Sequence, residues 1–323
     1  MTVRALTSMP RISIVVPVFN ELRETVQELV RRVSAATERI TTDYDIILVD
    51  DGSSNDGWEV ICSLAAVNQH IHGIRLARNF GQHVAITAGL DHAKGDWVVV
   101  MDSDLQDRPE VIPELYAKVQ EGFDVVFVNR AQRTDPRFYR VLAMCFYRLL
   151  NFLSGGEYNR LQGNFSIVSA NAVRAFRQLR EPTRFYGGLL RWIGFKQTAI
   201  TAVHGIRFAG QPVYNFTKRV TLAFNLIIGF STRILYISII LGLLMALASL
   251  LMATYVIAFA LAHPELPVPG WPSVMTAVVF TAGVTNITVG FTGIYVGKIF
   301  EQTRSRPLYI ISQTTAGAGL ANE

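Results

Sequence analysis

The sequence predicts an α/β fold: a Rossmann-like, mostly parallel sheet with helices on both faces, followed by interfacial helices and a two-helix transmembrane hairpin. Three observations carry this. From Ile12 to about Asn129, short apolar runs alternate with segments of helical periodicity. The runs are solidly apolar, as in strands covered on both faces. Near the C-terminus, Ile234 to Ala262 and Val274 to Gly297 contain no charge. Each exceeds the ~20 residues needed to cross ~30 Å of hydrocarbon.

Taken in order, RISIVVPVF reads as the first strand and ETVQELVRRVSAATERI as an amphipathic helix. DIILVDD is the second strand, followed by the turn GSSNDG and a helix from Trp58. IHGIRLA is a short third strand, and HVAITAGLDHAKG a helix closed by Gly95. DWVVVMD and FDVVFVN are the fourth and fifth strands, with a helix opened by RPEVIPELYAKVQ between them. Beyond them, Arg133, Arg137, Arg140 and Arg148 recur among large apolar residues. A surface helix packed on the sheet would explain them, and a basic helix lying in a membrane interface explains both the charge and the Phe/Tyr/Leu content. NFTKRVTLAFNLIIGFSTR, just before the first long apolar run, has the same character.

Half of the 323 residues are hydrophobic and 17% are charged, with the apolar excess in the C-terminal third. Lys218, Arg219 and Arg233 precede the first apolar run and Lys298, Arg304 and Arg306 follow the second, while the loop HPELPVPGWPS has no Lys or Arg. The positive-inside rule then places both termini in the cytosol of an integral membrane protein, as in a bacterial inner membrane. The N-terminus lacks a signal-peptide apolar core. The two cysteines, Cys62 and Cys145, fit a reducing compartment. The formal charge of +5 lies beside apolar segments, so membrane lipids and not nucleic acid are the expected polyanion. A homo-oligomer is compatible with the sequence.

Chemistry concentrates where the strands end. In VVVMDSDLQD the fourth strand runs into Asp102, Asp104 and Asp107. Like charges at the end of a buried strand repel one another and require a cation, either Arg or Lys or a metal ion. Oxygen ligands select Mg²⁺ or Mn²⁺, which usually completes its shell with phosphate oxygens and water. The plain alternative is a set of solvated acids with Asp107 capping the helix at Pro109. Asp50 and Asp51 close the second strand, so both acidic clusters face the crevice beyond the carboxyl edge. VPVFNE and VDDGSSNDG offer carboxylates and a Gly/Ser turn suited to a nucleotide. No G-x-G-x-x-G follows the first strand and no G-x-x-x-x-G-K-[ST] occurs, which removes the main support for a dinucleotide oxidoreductase or a P-loop ATPase. His83, His92 and His204 read as surface or helix residues, not catalysts.

VVPVFNE, LVDDGSSNDG, LARNFGQHVAITAGLDHAKGD, VMDSDLQDRPEVIPEL, RFYGGLLRWIGF, RFAG and the terminal RPLYI resemble, in this order, glycosyltransferase family 2. More narrowly, they resemble the polyprenyl-phosphate glycosyltransferases with two C-terminal membrane helices, relatives of dolichol-phosphate mannose synthase. The resemblance covers roughly Arg11 to Ile311. It implies a GT-A fold and transfer of a sugar from a nucleotide-sugar to a polyprenyl (undecaprenyl or dolichyl) phosphate, usually with inversion. The acceptor oxygen is already ionised, so no strong general base is needed.

The resemblance further implies Pro17, Glu21, Asp50, Asp51 and Asp102 around the nucleotide. Asp102, Asp104 and Gln106 would hold Mg²⁺ or Mn²⁺. Asp102, Asp104, Arg130 and Arg207 would act in catalysis, and Arg130, Arg133, Arg137 and Arg140 would grip the acceptor phosphate. The implied domains are a nucleotide-sugar-binding core over 1–130, an acceptor part over 131–233, the hairpin over 234–300 and a cytosolic tail over 301–323. Two departures stand out. GNFS replaces the common Gly-Asp-Phe-Arg, so Asn164 stands at the expected sugar site in place of an acid. Pro212 and Val213 replace a Ser-Lys pair, leaving Lys218 and Arg219 as stand-ins. Two alternatives remain: a membrane-anchored nucleotide-sugar-binding protein without catalysis, and a processive polysaccharide synthase. The latter would carry more spans and a Gln where Gly188 stands.

Overall fold

The computed structural model describes residues 9–131, 144, 148, 162–182, 184–203, 205, 233–262 and 270–315. By its internal contacts the chain divides into two compact units. One comprises Met1–Ala143, Asn159–Tyr214 and Arg306–Glu323; the other comprises Met144–Tyr158 and Asn215–Ser305.

The first unit is built on an eight-stranded sheet in the order β7-β5-β6-β4-β1-β2-β3-β8. The strands are β1 (Ile12–Val18), β2 (Tyr44–Asp50), β3 (Ile71–Leu76), β4 (Trp97–Val100), β5 (Val125–Ala131), β6 (Gln162–Ser169), β7 (Gln197–Val203) and β8 (Ile311–Thr314). β1 to β4 are mutually parallel, and β5 and β7 run parallel to each other. The sheet is mostly parallel, as the apolar runs predict. Two antiparallel strands were not foreseen: β6, between β4 and β5, and β8 on the β3 edge.

Residues of β1 alternate between two helical layers. Ile12, Ile14, Val16 and Val18 join the core under α1 (Arg23–Thr37), α2 (Gly57–Val67) and α4 (Ile112–Val119). α1 buries Val26, Leu29, Val30, Val33 and Ala36, the stripe of a one-sided helix. Val15 faces the opposite layer, formed by α3 (Gln82–His92) with α5 (Ala170–Gln178) and α6 (Tyr186–Trp192). α3 is buried from Ala85 to Leu90 and stops at His92, short of Gly95. The backbone N–H groups of Lys94 and Gly95 instead donate to Ser13 Oγ at 3.2 and 2.8 Å, which turns the chain into β4.

The second unit contains α7 (Arg233–Ala262) and α8 (Trp271–Thr303), which contact each other. Both are long and apolar enough to cross a membrane. Leu243, Leu247, Leu251, Val279 and Phe280 are all more than half exposed. Water would not tolerate so continuous an apolar surface on a monomer. The interfacial helix expected from Arg133 to Arg148 lies mostly outside the described residues; Met144 and Arg148 are helical and exposed.

Beyond α8, β8 pairs with β3, Thr315 Oγ1 accepts from Gly73 N at 2.8 Å, and Tyr309 donates to Asp91 at 2.8 Å. The segment after the second apolar helix therefore joins the same sheet as the segment before the first.

Candidate active site

The site is built where β1 and β4 part. β1 pairs with β4 only as far as Val15↔Val100, followed by a bond from Met101 N to Val15 O, yet keeps its register with β2 to Val18↔Asp50. Pro17 explains this. Alternation along β1 turns residue 17, like residue 15, toward β4, and proline has no N–H to continue that ladder. A proline is normally excluded from a central strand. Here its missing donor falls where the strands splay, at the point where the sheet order reverses about β1.

The loops after β1, β2 and β3 are tied into one wall. Asn20, at φ 53°, receives Ser54 N on Oδ1 at 2.8 Å and donates its own N–H to Ser53 Oγ at 2.9 Å. Asp50 is fully buried; Oδ1 accepts from Ser53 N at 3.0 Å and Oδ2 faces Arg75 Nε at 3.3 Å. Asp51 accepts Phe80 N and Gly81 N at 2.7 and 2.9 Å. Burial nevertheless raises its pKa to about 6, against the pull of those two donors. Gly52 makes the closure possible. Its φ is +71°, and a Cβ there would lie 2.4 Å from the Arg78 carbonyl carbon.

Facing this wall is the corner after β4. Asp102 Oδ1 accepts from Gln82 Nε2 at 2.7 Å and from Asn164 Nδ2 at 3.2 Å. Its Oδ2 lies 3.7 Å from Arg130 Nη2, which is 3.9 Å from Asp107 Oδ1. Burial first, then the charge of Asp107, push the Asp102 carboxyl well above the ordinary range; Asn164 and Arg130 pull the other way. Ser103 donates to Glu21 at 3.3 Å, joining the β4 corner to the loop after β1. Asp104 Oδ1 accepts Gln106 N at 3.1 Å, and Gln106 O accepts Gly205 N at 2.8 Å. Between them Leu105 is buried at φ 60°, a conformation costing a bulky residue about 1–3 kcal/mol. Arg130 can lie over β6 because residue 163 is glycine: a Cβ there would meet its Nε and Nη2 at 3.2 Å.

The structure thus brings Glu21, Asp50, Asp51, Asp102, Asp104, Gln106, Arg130 and Asn164 to one edge of the sheet, with Pro17 shaping the gap. The one-turn helix Pro109–Val111 starts from Arg108, whose side chain makes no cap, and Asp107 is buried 3.9 Å from Arg130. Gln82 is the residue that the sequence did not single out, since an amide at a helix start carries no signal of its own. Arg133, Arg137, Arg140, His204, Arg207, Pro212, Val213, Lys218 and Arg219 lie outside the described residues; Gly205, two positions before Arg207, is held against the 105–106 loop. Gly188 is buried within α6. His83 packs edge-on against Phe185, and burial, aided by Arg184, lowers its pKa to about 4, leaving a neutral imidazole.

Among the described residues, no three His, Cys, Asp or Glu side chains gather into a metal cage of their own. Asp102 and Asp104 fit a different arrangement, a cation that draws its remaining ligands from phosphate oxygens and water. Among the described residues the nearest donor to Asp102 Oδ2 is Arg130 at 3.7 Å, which makes Oδ2 the atom suited to such a cation.

Comparison with known proteins shows the family and the fold. The pattern of glycosyl transferase family 2 matches residues 13–181. An uncharacterized glycosyltransferase of Synechocystis is 34% identical over 302 residues, covering 93% of this chain and 94% of that protein. The SfII prophage-derived bactoprenol glucosyl transferase of Shigella flexneri is 36% identical over 308 residues, covering 95% and 99%. Among solved structures, glucosyl-3-phosphoglycerate synthase of Mycobacterium tuberculosis, in complex with Mn²⁺, UDP and phosphoglyceric acid, aligns with a TM-score of 0.50. It is 21% identical, covering 68% of this chain and 76% of that one, and shows the shared GT-A fold. The chain belongs to glycosyl transferase family 2 and is a glycosyltransferase.

Proposed function

We propose that this enzyme transfers a sugar, with inversion, from a nucleotide-sugar to a polyprenyl phosphate at the cytosolic face of a membrane. The observation that carries the reading is the Asp102–Asp104 corner, set across the crevice from Asp51 and Glu21 in a chain that also holds two membrane-length helices. Relatives bearing the name bactoprenol glucosyl transferase, at 34–36% identity over most of the chain, support the acceptor class.

Glu21, Asp50 and Asp51 line the nucleotide side, and Asp102 and Asp104, with Gln106 beside them, hold the carboxylates that Mg²⁺ or Mn²⁺ requires. When bound, such a cation would neutralise charge developing on the leaving diphosphate. Mn²⁺ in the Mycobacterium tuberculosis synthase complex supports the cation class. Arg130 contributes a planar guanidinium for phosphate oxygens; Arg133, Arg137 and Arg140 carry the same group and are proposed to serve the acceptor phosphate, as Arg207 is proposed to serve catalysis. Asn164, on β6, reaches Asp102 and marks the sugar side.

No side chain needs to remove a proton from the acceptor, because a phosphate monoester has its second pKa near ~6 and is ionised at neutral pH. That suits a crevice in which residue 164 is an amide, not an acid, beside a helix whose His83 is neutral and packed on Phe185. Both termini are assigned to the cytosol. The Lys/Arg asymmetry supports this, as does the pairing of β8, which follows the hairpin, with β3, which precedes it.

The test is direct. Purified protein supplied with a panel of nucleotide-sugars is expected to release nucleoside diphosphate only when both polyprenyl phosphate and Mg²⁺ or Mn²⁺ are present. Equal release without lipid phosphate, or full transfer in excess EDTA, would overturn the reading.

A further inference from the structure

We propose that Gln82 is a positioning residue for Asp102, acting with Asn164 to aim one carboxylate oxygen at the cation. The inference rests on the metal-dependent reading above. The two oxygens of Asp102 are treated unequally: Oδ1 takes two amide donors, Gln82 Nε2 at 2.7 Å and Asn164 Nδ2 at 3.2 Å. Oδ2 has Arg130 Nη2 at 3.7 Å, beyond hydrogen-bond distance. An ionised carboxylate only accepts, so each amide must turn its nitrogen toward Asp102. Two donors on one oxygen fix the carboxylate plane and leave the other oxygen for a ligand bond.

The position of Gln82 ties this clamp to the nucleotide side of the crevice. It is the first residue of α3, directly after Phe80 and Gly81, whose backbone N–H groups hold Asp51. One short turn thus fixes an acid from the end of β2 through its backbone and an acid from the end of β4 through a side chain. Asn164 is suited to the second half of the clamp because it is an amide. An aspartate at the same place would present a carboxylate oxygen where Asn164 now offers an N–H, and this half of the clamp would be lost. Partners that orient a metal ligand are worth roughly 10–100-fold in metal affinity or activity.

The test uses the full-length protein in detergent, with Mn²⁺ titrated in the presence of uridine diphosphate and, separately, guanosine diphosphate. Free Mn²⁺ is read by electron paramagnetic resonance. Gln82→Met keeps the length and removes the donor; it is expected to weaken Mn²⁺ binding roughly 10–100-fold. The Mn²⁺ concentration for half-maximal transfer should rise in parallel. Transfer should recover toward wild type at saturating Mn²⁺, which damage to the fold would not allow. Asn164→Ala removes the other donor to the same oxygen and should shift Mn²⁺ affinity in the same direction, so the clamp stays testable if Gln82→Met does not fold. Wild-type Mn²⁺ affinity in a folded Gln82→Met protein would overturn the proposal while leaving the metal-dependent reading intact. Absence of Mn²⁺ binding by the wild type with either nucleotide would overturn that reading, and this proposal with it.

Discussion

The two ends of the sheet use carboxylates differently. At the amino end, Asp45 accepts the Ser13 hydroxyl at 2.9 Å and faces Arg11 Nε at 3.5 Å, while Asp96 accepts Arg11 N at 3.0 Å. The Ser13 hydroxyl in turn accepts from Gly95 N, so the acid completes the turn into β4. At the carboxyl end, Asp102 and Asp107 both look toward Arg130, which stays 3.7 and 3.9 Å away, and Asp51 is held by backbone amides with its pKa raised to about 6. Acids of the first kind are neutralised within the fold and stabilise it. Acids of the second kind are gathered at some electrostatic cost, which a bound cation and its ligands would offset.

The sharpest way to break this contrast is to neutralise one acid at each end. Asp104→Asn should reduce transfer by at least about a hundredfold, the several kcal/mol that a cation supplies to a developing charge, with little change in thermal midpoint. Steady-state rates at saturating Mg²⁺ or Mn²⁺ check this, and near-wild-type turnover would remove the corner from the mechanism. Asp45→Ala should do the reverse. It strands the buried Ser13 hydroxyl and should lower stability by about 1–3 kcal/mol, while activity per folded molecule is retained. Chemical denaturation alongside activity measurements separates the two outcomes.

The smallest expected effect concerns Asp51. Its pKa rises from 3.8 to about 6 on folding, so between those values the folded protein holds a proton that the unfolded chain has released. Stability from this group therefore falls as pH rises through that window. Asp51→Asn should flatten that part of the stability–pH curve, measured by thermal unfolding across pH 4–6. An unchanged slope would mean that solvent reaches Asp51 more freely than its burial implies.

The amino-acid order alone determined what is local or periodic. Solid apolar runs marked β1 to β5, uncharged runs of membrane length marked α7 and α8, and strand ends carrying Asp50, Asp51, Asp102 and Asp104 marked the crevice edge. The tertiary structure decided what depends on distant partners. β6 is a short strand whose antiparallel place between β4 and β5 comes from pairing, and β8 finds β3 from the far side of two long helices. Asp107 suits a helix cap when read along the chain, yet folding buries it beside Arg130. Gln82 is an ordinary helix-start residue until α3 lies against β1 and its amide reaches Asp102. Sequence periodicity reports which face a residue must bury, because burial is set by the chain's own repeat. Which groups then meet across the crevice is set by loop closure and strand order, which no local pattern encodes.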